Sequence, residues 1–242
     1  MSKNTVIRVE NLKKSFGGRT VVDGISFEVL KGEVFGLLGH NGAGKSTTID
    51  LILGLKEPDD GLAELLEKNA AKNRKEVFKR VGVQLQTTQY QSSITVEEAC
   101  IEYGSLYEEP ADYNELLAQF GLSDLKKNLV SKLSGGEKQK LSVVLALIGN
   151  PEIVFLDELT TGLDVVARRE VWKTLKRLKE KGLTIFLTTH YMEEAEALCD
   201  KIFIIKNGTK VVNGTVEEIV SMSGKNNLEE AYLFYMDEEE LL

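Results

Sequence analysis

The first third of the chain alternates short apolar runs with turn signals, which is typical of strands. Apolar positions recur through residues 6–12, and Gly17-Gly18 then marks a turn. Residues 34–38 form a compact apolar run that is short enough for a buried parallel strand. Helical periodicity follows over residues 46–55. The pattern therefore predicts a strand, a glycine-rich loop and a helix in succession.

Helical periodicity dominates the middle of the chain, and strands return after it. We predict helices over 96–107, 113–120, 137–147 and 165–181, and strands over 153–156, 184–188, 202–205 and 210–212. Asn207-Gly208 separates the last two strands and predicts a hairpin. Residues 228–236 form either a helix packed on the core or a partner contact, and we favour the core. Strands that alternate with helices predict an α/β fold with a mostly parallel sheet.

The composition is that of a globular protein with an acidic balance. The net charge of −8 over 242 residues disfavours binding to the phosphates of DNA or RNA. The two cysteines and two histidines lack CxxC or HxxxH spacing, which disfavours a structural zinc site and fits a reducing compartment. The sequence shows neither a signal peptide nor an apolar run near the ~20 residues that span a bilayer. We therefore expect a cytoplasmic chain that reaches a membrane only through a protein partner.

The glycine-rich loop carries the strongest chemical signal. Residues 39–46, GHNGAGKS, fit GxxxxGK[ST] and are called the phosphate loop below. The glycines let successive N–H groups point at phosphate oxygens, and the helix that follows adds the positive end of its dipole. Lys45 can reach the β- and γ-phosphates of ATP, and the Ser46 hydroxyl can bind Mg²⁺. The alternative, a plain glycine-rich turn, is disfavoured because the loop joins a strand to a helix.

Two later strands also end in polar side chains. Asp157 and Glu158 follow the run at 153–156, at the strand end where parallel sheets bind ligands. Asp157 could hold Mg²⁺ through water, and Glu158 could act on the attacking water. His190 follows the strand at 184–188 and could donate a hydrogen bond to the γ-phosphate. The alternatives are that Asp157 and Glu158 are ordinary solvated acids and that His190 is an incidental surface residue. The presence of the phosphate loop makes the alternative for the acidic pair less favoured.

A second glycine-containing loop, Ser134-Gly135-Gly136, precedes the helix predicted at 137–147. This signature loop offers N–H groups and a hydroxyl to an anion at the start of a helix. Ser134 with Glu137 three residues later also fits a capping box. Because capping and anion binding use the same helix end, the residues alone leave both interpretations open.

In their order along the chain, these motifs resemble those of the ATP-binding-cassette (ABC) transporter ATPases. The resemblance covers essentially the whole chain and rests on residues 39–46, Leu133-Ser134-Gly135-Gly136, Asp157-Glu158, Leu163-Asp164 and His190. Within the family the chain looks like a cassette paired with ABC-2-type permeases. The resemblance implies a P-loop NTPase fold of the α/β class, with a RecA-like core sheet, an N-terminal antiparallel β portion and an inserted α-helical subdomain. The single domain 1–242 would divide into a core lobe (1–86 and 151–225), a helical lobe (87–150) and a C-terminal segment (226–242).

The resemblance also implies roles for single residues. Phe16 would stack on adenine, Glu158 would be the general base, and His190 would sense the γ-phosphate. Gln86, favoured over Gln84 by strand spacing, would contact Mg²⁺ and the attacking water. The signature loop would contact ATP bound to the other subunit, and Asp164 would lie at the subunit interface. The implied ATP-binding residues are Phe16, Gly39, His40, Asn41, Gly42, Ala43, Gly44, Lys45, Ser46 and Thr47, and the magnesium ligands are Ser46, Gln86 and Asp157.

Three positions depart from the common family pattern. Leu159 stands where many cassettes have proline, and Glu137 and Lys140 stand where glutamine and arginine are frequent. A glutamate near a triphosphate is electrostatically unfavourable unless it serves as a cap. The departures therefore question contacts of the helix after the signature loop and leave ATP binding intact.

The implied function is that of the ATP-hydrolysing subunit of a membrane transporter, with export favoured over import. Its partners would be a second nucleotide-binding subunit, identical or related, and an integral permease that docks on the helical lobe. The chain would then lie at the inner face of the cell membrane. The alternatives are a non-transport ATPase of the same fold, an ATP-dependent switch without hydrolysis, and a phosphate-loop kinase, in which the signature loop would have no purpose.

Overall fold

The computed structural model of the chain describes residues 4–84 and 93–237, which form two compact units. The first unit spans Met1–Val77 and Phe186–Leu242, and the second spans Phe78–Ile185. No helix in the described part of the chain is both long enough and apolar enough to cross a membrane.

The described strands and helices alternate along most of the chain. The strands are β1 (Thr5–Phe16), β2 (Arg19–Leu30), β3 (Val34–Leu38), β4 (Asp60–Leu65), β5 (Val81–Gln84), β6 (Ile153–Asp157), β7 (Thr184–Thr189), β8 (Lys201–Lys206) and β9 (Thr209–Gly214). The helices are α1 (Lys45–Ile52), α2 (Arg74–Val77), α3 (Val96–Gly104), α4 (Tyr113–Gln119), α5 (Gly135–Leu147), α6 (Val165–Glu180), α7 (Met192–Leu198), α8 (Val216–Ser223) and α9 (Leu228–Tyr235). Two 3₁₀ turns, Ser123–Leu125 and Val130–Lys132, lie between α4 and α5.

Both parallel and antiparallel pairing occur, as expected for a parallel core sheet with an N-terminal antiparallel β portion. In the first unit β1 lies between β2 and β4 in an antiparallel sheet, while β3 pairs in parallel with β8. In the second unit β5 and β6 pair in parallel. Every residue of β3 and β6 is buried, which explains why both are continuous apolar runs rather than alternating patterns.

The predicted hairpin joins β8 to β9, which pair antiparallel. Asn207 and Gly208 have φ of 50° and 82°, and two consecutive positive φ angles define a type I′ turn. Asparagine tolerates this region better than most residues, and glycine enters it without steric cost. The turn prediction is therefore confirmed together with its mechanism.

Four phenylalanines form the aromatic centre of the first unit. Phe27 of β2 lies 4.9 Å from Phe35 of β3 and 5.2 Å from Phe203 of β8, measured between ring centroids. Phe186 of β7 stacks on Phe35 at 5.5 Å. These contacts bury large apolar surfaces and fix the strands that lead to the phosphate loop and to His190.

The C-terminal helix α9 belongs to the core, as we favoured from the sequence. Leu228, Ala231 and Met236 are buried in one cluster with residues of β3, α7, β8 and α8. Lys206 Nζ donates to the carbonyl of Met236 at 2.6 Å and to the Asp237 carboxylate at 2.9 Å. The end of α9 is therefore tied to β8 by apolar burial and by hydrogen bonds.

We expect Leu228→Ala to lower the free energy of unfolding by about 2–5 kcal/mol, because it removes a fully buried side chain and leaves a cavity. Met222→Ala on the exposed side of α8 should change it by less than about 0.5 kcal/mol. Urea unfolding of both variants measures the difference. Equal, small changes would show that α9 contributes little to the stability of the core.

Candidate functional site

The phosphate loop joins β3 to α1, as predicted. Gly42 and Gly44 have φ of 83° and 109°, which side-chain-bearing residues rarely adopt. A Cβ added at Gly39 would lie 2.6 Å from the carbonyl oxygen of Ile205, and one at Gly44 would lie 2.6 Å from that of Val21. Backbone conformation and close packing therefore require glycine in this loop.

Helix α1 begins without a side-chain cap. Its N-cap is Gly44, whereas α3, α4, α5, α6, α8 and α9 each begin at a residue whose side chain accepts a backbone N–H. Within the described part of the chain, the N–H groups of Gly42, Gly44 and Ser46 have no hydrogen-bond acceptor. Such N–H groups, together with the helix dipole, form a ready-made anion site.

Lys45 and Ser46 place a cation and a hydroxyl at the same helix end. Lys45 is buried, and its Nζ donates to the carbonyls of Gly39 at 2.9 Å and His40 at 3.2 Å. A buried ammonium requires such acceptors, and phosphate oxygens would be stronger, charged acceptors for it. Ser46 is exposed, so its hydroxyl is accessible to a ligand.

Phe16 ends β1 and stays 43% exposed, although most large apolar side chains of this unit are buried. Two ammonium groups flank its ring, with Lys14 Nζ at 5.5 Å and Lys56 Nζ at 5.4 Å from the centroid. Lys14 lies two positions before Phe16 on β1, so both side chains lie on the same face of the strand. The alternation of side chains along a strand could therefore have identified Lys14 from the sequence. Lys56 is remote from Phe16 along the chain, and no local pattern in the sequence associates the two.

His190 follows β7 directly and lies in the same unit as the phosphate loop. Its ring contacts that of Tyr191, with centroids 4.2 Å apart and an interplanar angle of 39°. The Tyr191 N–H donates to the Thr189 hydroxyl at 3.0 Å, which fixes the backbone after the strand. The sequence analysis does not single out this contact, although Tyr191 directly follows His190.

The predicted acidic pair lies in the second unit, at the end of β6. Asp157 is its last residue and is buried. Glu158 has a φ of 50°, an unfavourable conformation for a residue with this side chain. Strain of this kind clusters at functional sites, because surrounding packing must hold it in place. Leu159 is buried, so the position where many cassettes have proline carries a core side chain here.

The structure describes only one of the two candidate glutamines. Gln84 is the last residue of β5, is buried and pairs with Leu156 of β6. Gln86, the residue we favoured, lies outside the described residues. The choice of Gln86 therefore stays a prediction.

The signature loop forms the predicted capping box at the start of α5. Glu137 N donates to Ser134 Oγ at 3.2 Å, and Ser134 N donates to Glu137 Oε2 at 2.7 Å. A Cβ added at Gly135 would meet nothing within 4 Å, so local packing does not require glycine there. The capping interpretation is confirmed, and contact with ATP stays a prediction.

The remaining predicted residues of this unit also have structural roles. Asp164 is the N-cap of α6 and accepts the N–H of Ala167 at 2.9 Å. Lys140 forms an ion pair with Glu170 at 3.0 Å, which links α5 to α6. Neither contact tests the place of Asp164 at a subunit interface.

The proposed magnesium ligands fit the ion by their chemistry. Mg²⁺ prefers oxygen ligands and commonly takes one or two from the protein and others from nucleotide phosphates. Ser46 and Asp157 supply a hydroxyl and a carboxylate. No group of three or more His, Cys, Asp or Glu side chains in the described residues could hold a metal alone.

Comparison with known proteins identifies the family of this site. A model of the ABC transporter family matches residues 22–161. The chain belongs to this family. It is similar to the Nod factor export ATP-binding protein I of Ralstonia nicotianae, with 40% identity over 221 residues that cover 89% of this chain and 69% of that protein. It is also similar to the linearmycin resistance ATP-binding protein LnrL of Bacillus subtilis, with 37% identity over 228 residues that cover 92% and 73%.

Solved structures of ABC proteins agree with the fold. An ATP binding subunit of an ABC transporter matches with a TM-score of 0.87 and 30% identity, covering 96% of this chain and 100% of that chain. The predicted P-loop α/β fold is thus confirmed, and so is the predicted activity. The chain is an ATPase, and it is the ATP-binding and ATP-hydrolysing subunit of an ABC transporter.

The backbone of Glu158 can be tested apart from its carboxylate. Glu158→Gly should be about 1 kcal/mol more stable than Glu158→Ala, because both lack the side chain and only glycine adopts φ of 50° freely. At Lys176, an exposed position inside α6, alanine should instead be about 1 kcal/mol more stable than glycine. Thermal unfolding of the four variants measures both differences. The same order at both positions would contradict a strained backbone at Glu158.

Proposed function

We propose that the chain drives export as one half of an ATP-bridged pair of subunits. The observation that carries the proposal is the uncapped start of α1, where glycine N–H groups and Lys45 converge on a place for phosphate. Two relatives are named for Nod factor export and for linearmycin resistance, which supports export rather than import. The transported substrate would be selected by the permease.

Catalysis of phosphoryl transfer depends mainly on positioning the reacting groups and on stabilising the charge of the transition state. The phosphate loop and Lys45 bind the phosphates, and Phe16 stacks on adenine. Glu158 accepts a proton from the attacking water, and His190 donates a hydrogen bond to the γ-phosphate. Ser46, Asp157 and Gln86 would hold Mg²⁺, and the ion would supply positive charge to neutralise the phosphates.

The signature loop completes the site from the other subunit in this proposal. Gly135 and Gly136 carry N–H groups without an acceptor in the described residues, and the loop is largely exposed. Two ATP molecules would bridge a head-to-tail pair, with Asp164 at the interface. Loss of the γ-phosphate after hydrolysis would remove the contact to the loop and let the pair separate.

The helical lobe, residues 87–150, is the proposed docking region for the permease. Ile101 of α3 is 53% exposed and Leu106 is 74% exposed, so apolar surface is available there. Docking would hold the chain at the inner face of the cell membrane. The core lobe, 1–86 and 151–225, would carry the nucleotide.

Glu158→Gln tests the pair of subunits and the general base together. It should bind ATP, lose about 10²–10⁴-fold in turnover, and accumulate as an ATP-dependent dimer, because the amide cannot accept the proton. Phosphate release and analytical ultracentrifugation measure the two effects. Glu180→Gln, at the exposed end of α6, is the control and should behave like the unmodified chain. Normal turnover, or a monomer with bound ATP, would contradict the proposal.

Phe16→Ala tests the adenine contact. Loss of an aromatic stacking partner weakens binding of a base by about 1–3 kcal/mol, so the KM for ATP should rise about 5- to 150-fold while kcat changes little. Phe16→Tyr keeps the ring and should keep the KM near its original value. Steady-state phosphate release over a range of ATP concentrations gives both constants. An unchanged KM in Phe16→Ala would remove Phe16 from the site.

A further inference from the structure

The carboxylate of Glu137 already occupies part of the signature loop. Its Oε2 accepts the Ser134 N–H at 2.7 Å, and the Ser134 hydroxyl accepts the Glu137 N–H at 3.2 Å. The hydrogen bond from the Ser134 backbone is the main cause that lowers the pKa of Glu137, and the Ser134 side chain adds to it. The carboxylate is therefore ionised at neutral pH and engages the polar groups of Ser134.

No basic side chain in the described residues forms an ion pair with this carboxylate. The two nearest lysines in the sequence have other partners: Lys138 Nζ donates to the carbonyl of Ser131 at 3.3 Å, and Lys140 Nζ pairs with Glu170 at 3.0 Å. The charge of Lys140 also lowers the pKa of Glu137, but less than either hydrogen bond from Ser134 does. A negative charge without a directly paired cation thus remains at the start of α5.

An anion that approached the loop would meet both attraction and repulsion. The N–H groups of Gly135 and Gly136 have no acceptor within the described chain, so they remain available to a phosphate oxygen. The Ser134 N–H, which would be a further donor, is already taken by Glu137. A phosphate that bound there would also lie close to a like charge, and such repulsion is strong where water is excluded.

We infer that Glu137 is a built-in competitor of the γ-phosphate, which weakens the ATP-bridged pair of subunits and favours its separation. The inference rests on the proposed function, in which the signature loop contacts ATP bound to the other subunit. In that setting the carboxylate replaces the phosphate at Ser134 whenever the pair opens. Glutamine at this position keeps the acceptor of the capping box and removes the charge.

A second capping box in the same chain provides a matched control. Thr95 N donates to Glu98 Oε2 at 2.9 Å, and Glu98 N donates to Thr95 Oγ1 at 3.2 Å at the start of α3. The Thr95 backbone hydrogen bond is likewise the main cause that lowers the pKa of Glu98. Glu98→Gln therefore removes the same charge from the same kind of helix end, away from the signature loop.

The experiment measures the dissociation constant of the ATP-bound dimer in Glu158→Gln, in which ATP persists. Glu137→Gln in this background should lower the constant by about tenfold or more, because each dimer contains two such loops. Glu98→Gln should leave it within about twofold. Raising the salt concentration should shrink the difference between the dimers with and without Glu137→Gln, because salt screens charge repulsion.

Thermal unfolding of both variants verifies that each is folded, and Glu137→Ala provides a second uncharged form whose dimer should also be tighter. Equal dissociation constants for Glu158→Gln with and without the change at Glu137 would overturn the inference alone. Absence of any ATP-dependent dimer in Glu158→Gln would overturn the proposed pair of subunits, and the inference with it. The two failures are therefore distinguishable.

Discussion

The backbone N–H groups at the start of a helix must find acceptors, and two helices of this chain meet this constraint in different ways. Helix α1 starts at Gly44 with no side-chain cap, so it leaves its first N–H groups to a ligand. Helix α5 has Ser134 as its N-cap and a complete capping box, so the carboxylate of Glu137 already accepts one of the N–H groups at its start. In the proposed function, the start of α1 receives phosphate, and the start of α5 is occupied by its own carboxylate until a phosphate displaces it.

The rest of the fold keeps these helix starts in place. The stacked rings of Phe27, Phe35 and Phe186 pack strands of the first unit together, and β3 leads directly into the phosphate loop. The unfavourable backbone conformation of Glu158 also requires packing to hold it in place. The buried strand β6 precedes this residue and the buried Leu159 follows it. Packing far from the phosphates thus stabilises conformations that the local sequence would not adopt alone.

Most of the fold could be predicted because its central strands are continuous apolar runs and its turns carry glycine. The strand β4 was missed because it lies at the edge of its sheet and is only partly buried, which leaves a weak pattern. Helix α7 was missed because it has seven residues and its N-cap, Tyr191, makes no side-chain capping hydrogen bond. In the site, motif spacing identified the phosphate loop, but the approach of Lys56 to Phe16 is a tertiary contact without a local signal.

The ambiguity of Ser134 in the sequence has a physical origin. A capping side chain and a bound phosphate both accept backbone N–H groups at the start of a helix, so a serine followed by two glycines fits either interpretation. The structure contains the capped form, with Glu137 bound to Ser134. In the proposed cycle the two forms alternate, and their difference in free energy contributes to the strength of the ATP-bridged pair. The identity of residue 137 would then adjust how readily the pair opens, while the helix itself remains folded.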